Sequence, residues 1–112
     1  MKTINRTVLI VVPKQPFLDW VNSIERNIPD FIPATEHHSA YLIPEKYDES
    51  NYKTFLKKIC RTLFEEELYS EFHDSDLWPE RRDLKTFNQW FEVHACDIVY
   101  DLGQEAIISE EL

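Results

Sequence analysis

The chain has 112 residues, 43% of them hydrophobic and 13% aromatic, and its 12 basic and 21 acidic side chains give a formal charge of −9. That length suits a single domain, because two separate cores would each fall near the lower limit for unaided folding. A net charge of this sign opposes approach to nucleic-acid phosphates and to anionic lipid, so neither nucleic acid nor membrane is an expected partner.

Cys60 and Cys96 form no paired-cysteine motif and both sit in apolar runs, which predicts buried free thiols in a reducing compartment. The opening residues contain no long apolar stretch, and no segment is long enough to cross a bilayer, so a cytoplasmic protein is expected.

Thr7 to Val12 is a β-branched apolar run closed by Pro13, the pattern of a central strand covered on both faces. Pro16 then suits the first turn of a helix, in which Phe17, Trp20, Val21, Ile24 and Ile28 recur at steps of three and four. Pro29 and Pro33 mark a connector, His37 and His38 follow it, and Ser39 to Ile43 reads as a second strand.

Ser50 is the expected N-cap of the most periodic segment, from about Asn51 to Phe72. Its stripe is Tyr52, Phe55, Leu56, Ile59, Cys60 and Leu63, with Lys53, Lys57, Lys58 and Arg61 turned away. Residues 74–82 read as irregular, with Leu77 and Trp78 holding a loop on the core. Asp83 is placed to cap a short helix running to about Phe91. From Val93 to Leu102 both a strand and a helix period fit, and the β-favouring Val93, Ile98, Val99 and Tyr100 make the strand the preferred reading. Residues 1–102 are thus expected to form the domain, and 103–112 a flexible acidic tail.

Several clusters could carry chemistry. The long helix is basic first and acidic later, with Glu65, Glu66, Glu67 and Glu71, opposite to what the helix dipole favours. Continuing its apolar stripe past Leu63 lands on Glu66 and Glu67. With His73 nearby and Asp97 on the last strand, these are the candidates for a metal-assisted or acid/base enzyme. The competing reading is a helix that outruns the core, with Arg81 and Arg82 folding back as ion-pair partners. The adjacent His37 and His38, and the His94/Cys96 pair on one strand face, are further candidates for proton or thiol chemistry. Gly103 is the single glycine, so neither a P-loop nor a GxGxxG turn can be built, and no cofactor is expected. Trp78 and Trp90 are the aromatic residues placed to anchor a partner.

The segments Leu77-Trp78-Pro79, Phe87-Asn88-Gln89-Trp90-Phe91 and Val99-Tyr100-Asp101-Leu102, with the opening Val11 to Phe17, resemble a family of small uncharacterised bacterial proteins. The resemblance implies a self-contained bacterial domain and assigns no residue a role.

The element order is therefore β-α-β-α-α-β: an α+β fold with a small mixed sheet and helices packed on one face, a ferredoxin-like or related sandwich. A sheet of three strands leaves edges that a second copy would cover, so a homodimer is expected. The leading functional expectation is an acidic interaction or regulatory module that binds a protein partner. The alternative is the small enzyme built on the acidic end of the long helix.

Overall fold

The computed structural model describes residues 1–25 and 38–112. In chain order the elements are β1 (Lys2–Thr3), β2 (Arg6–Pro13), α1 (Gln15–Glu25), β3 (Ser39–Pro44), α2 (Tyr52–Glu71), a 3-10 turn (Ser75–Leu77), α3 (Leu84–Trp90), β4 (Phe91–Cys96) and β5 (Tyr100–Asp101). The class is α+β. The expected order is present, with the short strand β1 added to it and the last strand divided in two.

β2 is the central strand, flanked by β3 and β4, and both ladders are antiparallel. β3 and β4 run in the same direction but never meet, so strand directions are not mixed between neighbours. β1 pairs with β5, Lys2 opposite Asp101, and the Ile4 amide donates to the Val99 carbonyl at 3.0 Å, so the β2–β4 ribbon continues past a bend.

The apolar run of β2 alternates strictly in burial. Thr7, Leu9, Val11 and Pro13 are buried, whereas Val8, Ile10 and Val12 are half-exposed and Arg6 is exposed. Coverage on both faces is thereby corrected to coverage on one, because the buried apolar residues of all three helices join a single core cluster with Leu9 and Val11. An antiparallel sheet tolerates one open face.

Helix α1 contributes Phe17 and Val21 to that cluster, and α2 contributes Leu56, Cys60, Leu63, Phe64 and Leu68. Phe64, Phe87 and Phe91 are fully enclosed, with ring centroids 5.0–6.0 Å apart. Burying each such ring contributes up to about 3 kcal/mol. The hydroxyl of buried Thr7 donates to the Tyr47 carbonyl and so ties β2 to the turn before α2.

A side-chain cap starts α3 but not α2. Asp83 accepts from the Thr86 amide at 2.9 Å and starts α3 as expected. Ser50 does not cap α2. Asn51 occupies that position without a side-chain cap, while Ser50 donates from both its amide and its hydroxyl to Asp48 in the preceding turn. Those hydrogen bonds hold the Asp48 carboxyl below its ordinary pKa. The strand reading of the last segment holds in two pieces, since β4 starts directly at the end of α3 and the bend at residues 97–99 separates it from β5. Residues 103–112 carry neither helix nor strand and are exposed. Among the described residues, no helix is long and apolar enough to cross a membrane.

Candidate functional site

The acidic end of α2 does not present its carboxylates together. Glu66 is exposed, while Glu67 is only 4% exposed and its Oε1 accepts a 3.0 Å hydrogen bond from the Tyr41 hydroxyl of β3. Burial, and next the negative charge of Glu67, raise the Tyr41 pKa above its ordinary value. Glu65 Oε1 receives Arg82 Nε at 3.2 Å and Arg61 Nε at 3.1 Å, so one of the two arginines expected to fold back does so. Arg81 turns instead toward Asp83, 3.9 Å away. The arrangement that opposed the helix dipole is thus explained in part by contacts across the fold.

His73 is exposed and stacks flat on Tyr69, with centroids 4.2 Å apart. Asp97 is exposed at the bend between β4 and β5. Among the described residues, no three His, Cys, Asp or Glu side chains come together as a metal site would require. Of the two adjacent histidines, His38 is exposed and His37 lies outside the described residues. Cys60 is buried, and that burial raises its thiol pKa, which keeps it a protonated core residue.

The two candidate anchors pack inward. Trp90 is half-buried, with its ring against Phe17, Trp20 and Phe64. Trp78 is also half-buried. Its indole N–H donates to the Phe72 carbonyl at 2.9 Å, and the Arg82 guanidinium lies over its ring. Their apolar area is largely spent on the domain itself.

The open face of the sheet is a surface the core does not use. By register, Leu42 and Cys96 flank Val8, Ala40 and His94 flank Ile10, and Glu92 stands opposite Val12. Residues directly opposite in an antiparallel pair share a face, so these side chains form one lattice. Leu42 is 57% exposed, Ala40 is exposed, and Val8, Ile10, Val12 and Cys96 are half-exposed. Charge lies at the margins, with Arg6 at the start of β2 and Glu92 near its end, where Glu92 is 3.5 Å from His94 Nε2. This face escaped the sequence reading because the run Thr7–Val12 is apolar at every position from Val8 on. The available signal was the alternation on β4, where Glu92 and His94 interleave with Phe91, Val93 and Ala95.

A concavity of about 350 Å³ lies among the first turn of α2, α3 and β4, with Lys14, Tyr52, Lys53 and Asn88 on its walls. Lys14 Nζ there is held by the Asn88 carbonyl at 2.8 Å. None of Glu66, Glu67, His73 or Asp97 lines it.

The fold and surface together define a small α+β domain with one covered and one open sheet face. Compared with protein-family models, curated proteins and solved structures, the chain matches none.

Proposed function

We propose that this protein is a non-catalytic interaction module that binds a protein partner through the open face of its three-stranded sheet. The single observation that supports the reading is that Val8, Ile10, Val12, Ala40 and Leu42 lie together outside the core cluster. Apolar surface left against water stabilises an association by about 25 cal/mol per Å² removed, before the costs of binding. A contiguous patch of this kind marks an interaction site more often than scattered apolar residues do. Charge confined to the margins gives such a surface an apolar centre and a polar rim.

The acidic cluster of α2 supports the same reading by its occupation elsewhere. Glu65 and Glu67 are engaged in contacts within the domain, leaving Glu66 as solvated charge.

A photo-reactive amino acid placed at Ile10 tests the proposal, with the same group at Lys57 on the exposed side of α2 as control. A discrete protein adduct from position 10, absent from position 57, is the expected result. No discrete adduct from position 10 overturns the reading.

A further inference from the structure

We infer that the occupant of the open face is a second copy of this chain, packed sheet on sheet about a two-fold axis lying between the sheets at right angles to the strands. The inference rests on the reading of that face as a docking surface and names its partner.

Two molecules of charge −9 repel at long range, so a stable contact between copies must use a surface where charge is absent or complementary. The rows Leu42–Val8–Cys96 and Ala40–Ile10–His94 carry no permanent charge. Arg6 and Glu92 sit at opposite ends of the ladder, both exposed, and Arg6 has no carboxylate partner in the ion pairs of the described residues.

Identical sheets packed in the aligned mode meet face to face through a two-fold axis between them, which runs close to the strand direction or across it. An axis along the strands places Arg6 over Arg6 of the other copy. An axis across the strands reverses one sheet, so each Arg6 end lies over the Val12 and Glu92 end of the other. Glu92 is then displaced sideways by about one strand spacing, near 4.8 Å, across a sheet separation near 10 Å. Two long side chains span that gap, and symmetry supplies the contact twice. The modest rotation between aligned sheets, about 30°, preserves the crossing. Charge thus selects one of the two arrangements, and the apolar rows fill its centre.

Sedimentation velocity over a range of concentrations tests this. The wild type is expected as a dimer. Arg6→Glu and Glu92→Arg should each weaken association by roughly tenfold or more, and the double variant should restore it to near the wild-type value. Both positions are exposed, and circular dichroism confirms that each variant is folded. A wild type that stays monomeric overturns the inference, while a position-10 adduct to a different protein would leave the docking reading standing. A dimer indifferent to both single reversals, or not rescued by the double one, overturns this arrangement.

Discussion

The Tyr41 hydroxyl on β3 and the Glu67 carboxylate on α2 are joined by a 3.0 Å hydrogen bond at the buried interface between sheet and helix. The pair explains why an acidic residue occupies an inward position of α2. A buried carboxylate requires a donor, and the strand supplies one by placing Tyr41 on the same face as Ile43.

Tyr41→Phe removes that donor while keeping the ring, and should lower stability by roughly 1.5–3 kcal/mol, the range for hydrogen bonds to charged groups. Because the folded state raises the Tyr41 pKa, its neutral phenol contributes fully below about pH 10, where unfolded tyrosine begins to ionise, and the contribution is lost as pH rises through the folded value. Urea denaturation between pH 7 and 11 should show a steep alkaline decline in the wild type and a shallower one in Tyr41→Phe.

Glu25, the last residue of α1, has its Oε2 buried with no hydrogen-bond partner among the described residues, and burial followed by the charge of Glu71 raises its pKa. The neutral form therefore suits the fold, and the favourable contribution present below about pH 4 is lost as pH rises through the folded value. Glu25→Gln should stabilise the protein at pH 7 by a few tenths to about 1 kcal/mol, with the gain vanishing near pH 4 in parallel thermal melts.

Neighbouring residues on β2 should respond oppositely to the same change. Leu9 is fully buried, so Leu9→Asp places an unpaired carboxylate in the core and should cost more than about 3 kcal/mol, a large share of a small domain's stability. Ile10→Asp lies on the open face and, at protein concentrations low enough to keep the chain monomeric, should cost about 1 kcal/mol, the span of strand propensities. Circular dichroism with urea titration distinguishes them, and equal costs would mean that the face is not open.

Phe64 is fully enclosed and its ring meets Phe87, Trp90 and Phe91, joining α2 to α3 and β4. Phe64→Ala should destabilise by about 3–5 kcal/mol through lost burial and the cavity left behind. The near-ultraviolet dichroism of the aromatic cluster should fall with it.

Local pattern made the α+β class, the central place of β2, the stripe of α2 and the Asp83 cap legible in the chain itself, because each depends on periods of two or 3.6 residues or on one side chain reaching a nearby amide. Ser50 is not the cap because Asp48, two residues earlier, accepts from the Ser50 amide and hydroxyl and holds Ser50 in the turn before the helix. β1 and β5 are too short to show a period at all.

The candidate site was the least legible part. Glu66 and Glu67 are adjacent in the chain, yet one is solvated and the other is held by a tyrosine 26 positions away. Trp78 and Trp90 look alike as anchors until the Phe72 carbonyl takes the indole N–H of Trp78 and the rings of Phe17 and Phe64 meet that of Trp90.

By itself, then, the sequence determined where the longer helices and strands lie, which residues are apolar enough to build a core, and that the surface repels anions, since these follow from local sterics, periodicity and summed charge. Only the tertiary structure decided that β2 is covered on one face and not on both, that Glu67 is buried against Tyr41, and that Val8, Ile10 and Val12 face outward. A uniformly apolar strand has two equivalent faces until long-range packing covers one of them.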